Sequence, residues 1–500
     1  MKKSPHFVPI RAFRLLLPLL LCGLAWLIPR SYAEDEQWRT FTNIQGVKIK
    51  ARLKAVAEEK ATIELENGRD YTLPVAALSP TDQAYVKQWN MNNPGTTLPA
   101  PVKSGIKLEK LNELIGHPLF SDGNLWENPS DQAAERLKWP RESLTPYSSS
   151  FRIYPGEDYR FISARPYSAV LNGTDGKVSG ISIVFANKGD FFGAAGSGED
   201  HFVKGKAVPK GAAGLKMIMD QDAESISASL SQLLGPAQRQ KFGDGETRQT
   251  VERWDWSGHA FLLANVENEY VSLSIQPVEF ADNRGKSKRI SDAFVRKRAK
   301  ENVEQRSNGD VVIQNIPMVD QGPKGYCVPA TAERCMRYLG IPADMYLLAM
   351  AGQTGLGGGT SPSLLLEAVG QDIKRKGRSF DIWDDELNLR KLARYIDDGI
   401  PVMWALFSTG DFNKIANSRT SERKDLEMWN TYKAKVKQES AANKLSPDPN
   451  TAHIVIIIGY NKETGEIAFS DSWGERYKER WISIAEAQQI SQGRFYVVDL

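Results

Sequence analysis

The sequence predicts a multidomain α+β protein. Its 500 residues exceed what one ordinary core takes up, so three or four domains are expected. Strand-like alternation at Val47–Leu53, Ala61–Glu66 and Val178–Phe185 is interleaved with helix-like stretches at Ala223–Leu234 and Val328–Leu339. A hydrophobic content of 41% and a charged content of 25% are globular values, and a net charge of +3 argues against a dedicated nucleic-acid binder.

Residues 1–33 read as a secretory signal. Lys2, Lys3, Arg11 and Arg14 make a basic start, and Leu15–Ile28 is an apolar run of 14 residues. That is shorter than the ~20 residues a spanning helix needs. Ser31-Tyr32-Ala33 offers small residues at both key positions of a cleavage site. Cleavage after Ala33 starts the mature chain at Glu34 and makes the protein secreted or periplasmic; left uncleaved, the segment is an anchor. Cys22 follows Leu21 rather than the small residue a lipoprotein site wants. Cys327 and Cys335 then remain, eight apart on one helix and unable to bridge easily, so no disulfide framework is expected.

Residues 38–90 form the first module. Val47–Leu53 and Ala61–Glu66 alternate as strands, Asn67-Gly68 marks a hairpin turn, and Tyr71–Val75 returns. Leu78-Ser79-Pro80-Thr81-Asp82 then opens a capped helical turn reaching Val86. Trp38-Arg39-Thr40, Asn67-Gly68 and Leu78-Ser79-x-x-Asp82-x-x-Tyr85 resemble the first homology domain of the yeast endocytic protein Sla1. The resemblance implies an SH3-like β-barrel, and with it a peptide or protein ligand, or service as an envelope-side adaptor or spacer.

Residues 91–104, with Asn93-Pro94-Gly95 and Pro99-Ala100-Pro101, are a linker by composition. Residues 105–280 carry no recognised motif. Strand-like runs at Arg160–Ala164, Val178–Phe185, Gly258–Asn265 and Tyr270–Ile275 accompany a helix at Ala223–Leu234 stopped by Gly235-Pro236. An α+β domain is expected, open to a reading as two related halves. His117, His201 and His259 lack ligand spacing and read as surface or core histidines, so neither metal nor cofactor is expected.

Residues 281–310 read as a basic linker. Nine Lys/Arg stand against three Asp/Glu in 284–306, and Ile290, Phe294 and Val303 give weak helical character. A solvated linker helix and a segment docking on an acidic partner or membrane surface both fit. Tethered just ahead of Val311-Val312-Ile313-Gln314, the segment is also placed to inhibit a site beyond it.

In residues 311–500, Val328, Ala332, Cys335, Met336 and Leu339 share one helix face; Pro329 suits its first turn and Gly340 the position past its end. Cys327 therefore heads a helix, where unpaired N–H groups and the dipole favour a thiolate. Cys335 reads as core. His453, the only histidine after Cys327, heads the apolar run Ile454–Tyr460, with a turn at Asn461–Gly465 and a return strand at Glu466–Ser470. Pairing Tyr460 with Glu466 sets Trp473 opposite His453 and puts Asp471 on the same face, roughly 7–8 Å away between backbones. A nucleophile, a base and an orienting carboxylate are within reach of one another. Gly399–Leu406 reads as a central strand, and Ser408–Asn450 as a polar insertion beside the site, in the manner of a lid.

Gln321-Gly322-Pro323-Lys324-Gly325-Tyr326-Cys327, then His453, then Asp471-Ser472-Trp473-Gly474 resemble the papain-like cysteine peptidases, in particular the bacterial C39-like branch, which uses Asp at the orienting position. The likeness covers roughly residues 311–500. It departs from papain at Asp471, an asparagine there, and at Val328, an aromatic residue there. It implies a papain-like α+β fold with Cys327 as nucleophile, His453 as base and Asp471 orienting it. Gln321, six residues before Cys327, is implied in the oxyanion hole, and Trp473 as a shield or substrate contact. Gly358, Gly359 and Thr360 stand where such enzymes pair with substrate backbone; the same stretch also reads as a flexible loop before the helix at Ser363–Val369. A peptide or protein substrate follows from this resemblance. Transglutaminases and peptidoglycan amidases use the same order of residues, and a non-catalytic envelope binding protein is the third reading. Membrane contact is expected only through an uncleaved signal or the basic linker.

Overall fold

The computed structural model describes residues 38–57, 60–65, 70–92, 106–193, 209, 211–287, 289–356, 359–424 and 427–500. The signal residues 1–33, the Asn67-Gly68 turn, His201, Gly358 and nearly all of the linker at 91–104 lie outside them. The chain divides into two units, Met1–Ala100 and Pro101–Leu500.

In the first unit, β1 (Arg39–Thr42), β2 (Lys48–Ala57), β3 (Lys60–Leu65) and β4 (Asp70–Pro74) form an antiparallel sheet in chain order, followed by α1 (Pro80–Asn92). Phe41, Leu53, Ile63, Leu78 and Val86 make its core. Buried Asp82 accepts hydrogen bonds from Arg39 Nη2 (2.7 Å), Thr42 N (2.8 Å) and Ser79 Oγ (2.9 Å), which ties the start of α1 to β1. A lone bridge pairs Asn43 with Leu78. The sheet is consistent with half of a barrel.

The second unit begins with α2 (Leu108–Ile115), α3 (Ser130–Leu137), β5 (Arg141–Leu144), β6 (Ser148–Ile153), β7 (Ser168–Thr174) and β8 (Lys177–Asn187). It continues with α4 (Lys188–Phe191), α5 (Ala212–Leu234), β9 (Gln238–Phe242), β10 (Gln249–Trp256), β11 (His259–Val266) and β12 (Tyr270–Pro277). The strands make one eight-stranded sheet in the order β5-β6-β7-β8-β12-β11-β10-β9. Each half is helix followed by four-stranded antiparallel meander, and the last strands of the two meanders pair at the centre.

Both faces of this central sheet are covered. Ile183, Phe185, Phe261 and Leu263 point into the core that also holds Leu215, Ile226 and Leu230 of α5. Their neighbours Val184, Leu262 and Ala264 pack instead with Val319, Tyr326, Ala330, Met345 and Tyr346 from the C-terminal region. Burial on two faces turns an alternating pattern into a continuous apolar run, which is how β11 reads.

Two sequence expectations fail here. Arg160–Ala164 is not a strand: Ile162 has φ +58° and donates its N–H to Ile115 C=O (3.0 Å), so Phe161 and Ala164 close a turn. The helix ending at Leu234 starts at Ala212, not Ala223; its early turns were hidden by Asp222, a buried member of the inward face that accepts from Ala186 N (3.1 Å).

The remaining elements are α6 (Val278–Asp282), α7 (Asp292–Glu301), β13 (Val303–Gln305), β14 (Asp310–Ile313), α8 (Cys327–Tyr338), α9 (Met345–Ala351) and α10 (Pro362–Arg375). After them come β15 (Ser379–Asp384), α11 (Leu389–Asp397), β16 (Val402–Phe407), α12 (Gly410–Glu422), α13 (Trp429–Ala442), β17 (Ala452–Asn461), β18 (Glu466–Ser470), β19 (Arg480–Ser483), α14 (Ile484–Ile490) and β20 (Ser491–Asp499). The second sheet runs β13-β14-β17-β16-β20-β15, with β18 joined to β17 and β19 to β18.

Residues 281–310 are therefore no free tether. Val295 and Ala299 of α7 lie in the C-terminal core, Arg298 donates to Tyr338 C=O (2.6 Å), and β13 extends the sheet through β14. Phe294 stays exposed, but Val295 and Ala299 are consumed by packing and Arg298 turns inward, so the segment is fastened to the fold it was expected to dock on. The insertion at Ser408–Asn450 is not a lid either. Its helices are pinned by a buried ionic cluster in which Arg419 pairs with Glu486 (2.8 Å) and Arg423 pairs with Asp310 and Glu466.

Candidate active site

Helix α8 starts at Cys327. Apart from Cys327 and Arg337, every residue from Val328 to Tyr338 is buried, polar Thr331, Glu333 and Arg334 included. One side packs on β17; Ala330 joins the core shared with the central sheet. Cys327 itself is only partly buried, at the first helical position, where the N–H groups of the opening turn face outward.

The hairpin β17–β18 supplies the partners. Tyr460 pairs with Ile467, not Glu466, so the expected register is off by one at the turn. A bulge between Ile457 and Gly459 takes up the extra residue, and Ile456 then faces Ser470. Continued toward the strand end, that pairing sets His453 against Trp473, as the spacing suggested. The His453 and Trp473 rings stack with centroids 4.8 Å apart at 22°, and Trp473 rests edge-on against Tyr477 at 5.6 Å. His453 Nε2 lies 2.9 Å from Asp471 Oδ1. The ring hydrogen bond to Cys327 accordingly falls to Nδ1.

The charges on these groups follow from the contacts. Burial alone pushes the Cys327 thiol up, but the hydrogen bond and charge of His453, with the N–H groups of Ile454 and Val328, outweigh it and hold the thiol below its ordinary value. Burial likewise pushes His453 down, while hydrogen bonds to Asp471 and Cys327 raise it to about 9. The two shifts favour a thiolate beside an imidazolium. Cys335 is the opposite case: burial pushes its thiol up to about 12, leaving an inert core residue.

Gln321 is buried, and its backbone N–H donates to Ser472 C=O (2.9 Å), joining the loop before α8 to the loop that carries Asp471. Its Nε2 donates to Lys324 C=O (3.1 Å), and its Oε1 has no partner among the described residues. Of the expected substrate wall, Gly358 lies outside the described residues. Thr360 is buried with its hydroxyl 2.6 Å from that of Thr354, and Gly359 is exposed with open space where a Cβ would lie.

Three positioning groups escaped the sequence reading. Arg480 Nη1 donates to Asp471 Oδ2 (2.7 Å), and its Nη2 donates to Asn413 Oδ1 (2.8 Å) in the insertion. Arg334 on α8 donates to Ser472 Oγ (3.3 Å), Ser470 Oγ (2.5 Å) and Pro317 C=O (3.0 Å), fastening the Asp471 loop to the helix that begins at Cys327. Lys324 has a fully buried side chain beside Gln321. Charged residues in polar stretches ordinarily read as solvated, so nothing in the local pattern marks them. Among the described residues, no group of three His, Cys, Asp or Glu is arranged to hold a metal.

Residues 313–495 match the Peptidase_C39 like family. Among solved structures, the crystal structure of the peptidase domain of Streptococcus ComA, a bi-functional ABC transporter involved in a quorum sensing pathway, is similar at 14% identity and a TM-score of 0.24, covering 37% of this chain and 98% of that chain. No curated protein matches.

Proposed function

We propose that residues 311–500, most of which match a C39-like peptidase family, hydrolyse peptide bonds through Cys327, His453 and Asp471. The observation carrying this reading is the unbroken contact chain from Asp471 through His453 to a thiol at the first residue of α8.

Cys327 Sγ attacks the scissile carbonyl carbon and forms a C–S bond, while the carbonyl electron pair moves onto oxygen. The N–H of Cys327 and Nε2 of Gln321 receive that oxyanion; losing one such donor typically raises the barrier by about 2.7–4 kcal/mol. The tetrahedral species collapses as the C–N bond breaks, and His453 delivers its proton to the departing amine nitrogen. His453 then takes a proton from water, whose oxygen attacks the thioester carbon; the acid leaves and the thiolate–imidazolium pair returns. Asp471 holds the ring throughout, and Trp473 covers one face of it.

The basic start and the apolar run of the N-terminus support a location outside the cytoplasm for this chemistry, in a secreted or periplasmic protein. The N-terminal sheet is assigned an SH3-like adaptor role toward a peptide or protein ligand, with Trp38, Ile49 and Tyr71 at its surface.

The test is a chain starting at Glu34 assayed on a library of internally quenched peptides, with Cys327→Ala alongside. Hydrolysis by the parent and none by the variant, at unchanged melting temperature, supports the reading. Hydrolysis retained in the variant removes it, and incorporation of an added amine in place of hydrolysis would redirect it to acyl transfer.

A further inference from the structure

The loop carrying Gln321 is held from outside the peptidase-like segment. Tyr154 at the end of β6 donates its hydroxyl to Asp320 C=O (2.5 Å). Glu142 Oε1 on β5 accepts from Asp320 N (2.7 Å), and Ser143 Oγ accepts from Met318 N (3.0 Å). Glycines allow the two surfaces to close. A Cβ on Gly322, which has φ +65°, would lie 2.7 Å from the Tyr154 ring, and one on Gly189 in α4 would lie 2.5 Å from the Tyr326 ring.

Lys324 is the centre of this contact. Its Nζ donates to Gln321 C=O (3.2 Å) and pairs with Asp190 Oδ1 of α4 (3.4 Å). The rings of Tyr154, Tyr346 and Tyr326 surround it at 4.6, 5.4 and 5.9 Å. Asp190 is itself fixed by Asn187, whose Nδ2 donates to Oδ2 (2.9 Å). At its other end, Lys324 C=O accepts from Gln321 Nε2, the single hydrogen bond that the described residues give that side-chain amide. Lys324 therefore grips Gln321 twice, once by its backbone and once by its side chain. A buried ammonium is costly unless it is compensated, and the carboxylate that compensates it here, Asp190, comes from the central sheet domain.

We infer that Lys324, anchored by Asp190, is a positioning residue that aims the Gln321 amide at the developing oxyanion, and that the central domain is thereby a working part of the peptidase site. This rests on the peptidase reading. Neither Lys324 nor Asp190 touches the Cys327–His453–Asp471 chain among the described contacts, so thiolate formation and oxyanion stabilisation are separable by experiment.

The experiment uses the chain starting at Glu34, with Lys324→Met, which keeps length and ring packing but not the charge, and Asp190→Asn, which keeps shape. Two rates are read for each: iodoacetamide alkylation of Cys327 across pH, and kcat and KM on a quenched peptide selected with the parent enzyme. A misaimed catalytic group can cost about 10²-fold in rate, so kcat in Lys324→Met should fall by roughly that factor, and in Asp190→Asn in the same direction by less. KM and the alkylation rate and its pH profile should stay at parental values. Parental kcat in both variants overturns the inference. So does a parallel loss of alkylation and turnover, which marks general disturbance of the site. A parent that neither turns over peptide nor alkylates faster than a free thiol removes the peptidase reading itself, and the inference with it.

Discussion

Arg480 and His453 hold opposite oxygens of one carboxylate: Arg480 Nη1 lies 2.7 Å from Asp471 Oδ2, and His453 Nε2 lies 2.9 Å from Oδ1. The carboxylate cannot rotate without breaking one of the two. Because Arg480 also reaches Asn413, the orientation of the His453 ring depends on α12, an element of the insertion. Breaking a buried pair by removing one partner typically costs roughly 3–5 kcal/mol. Arg480→Met should therefore lower unfolding free energy by about that amount in a denaturant titration, with kcat/KM falling as well. Unchanged kcat/KM in a folded Arg480→Met protein would mean that Asp471 needs no second hold.

The activity should follow a bell in pH whose limbs belong to the coupled pair. The acid limb is formation of the Cys327 thiolate, and it should lie below the ordinary thiol value because that pKa is lowered. The basic limb is loss of the imidazolium proton, expected near pH 9 because the His453 pKa is raised to about 9. Asp471 is one of the causes of that rise, so Asp471→Ala should move the basic limb downward and reduce kcat/KM. Asp471→Asn should retain more activity, since its carbonyl still accepts the ring N–H. Measuring kcat/KM against pH for the three proteins decides this, and a basic limb that does not move in Asp471→Ala would contradict the assignment.

Cys335 and Cys327 should behave as different chemical species. Iodoacetamide at neutral pH should label Cys327 in the native chain starting at Glu34 and leave Cys335 untouched until unfolding, because burial keeps that thiol protonated. Cys335→Ala should preserve kcat/KM and cost roughly 1 kcal/mol of stability from the vacated core space. Peptide mapping of the labelled protein reads the first point, and a melting curve the second.

The geometry around His453 was legible because a strand's period of two carries a side chain's direction over a distance. Even so, spacing alone sets the turn pairing off by one residue, and the bulge between Ile457 and Gly459 restores the register at the site. What local pattern could not show is burial conferred by distant partners. Lys324, Arg334 and Arg480 look like surface residues until Asp190, Ser472 and Asp471 are brought to them by the fold. The same holds for the central sheet, whose second face is covered by residues more than fifty positions further along the chain, such as Val319 and Tyr346 against Leu262.

Removing the N-terminal regions should destroy activity rather than release it. A chain starting at Asn308 lacks α7, whose Val295 and Ala299 are buried in the C-terminal core, and β13, which pairs with β14 from Val303↔Ile313 to Gln305↔Val311. The fit there is close: a Cβ on Gly399, at φ +73°, would lie 2.1 Å from Ala299 C=O, so α7 seats directly on the turn before β16. A chain starting instead at Arg284 keeps α7 and β13 but uncovers Val319, Tyr326, Met345 and Tyr346, which pack on the central sheet. It also deprives Lys324 of Asp190. Exposed apolar surface of that kind drives association and dye binding. Both shortened chains should bind a hydrophobic dye and hydrolyse the parent's peptide far more slowly than the chain starting at Glu34, and the one from Asn308 should also lose its cooperative melting transition. Either shortened chain remaining monomeric with the parent's kcat/KM would show that the peptidase-like segment stands alone.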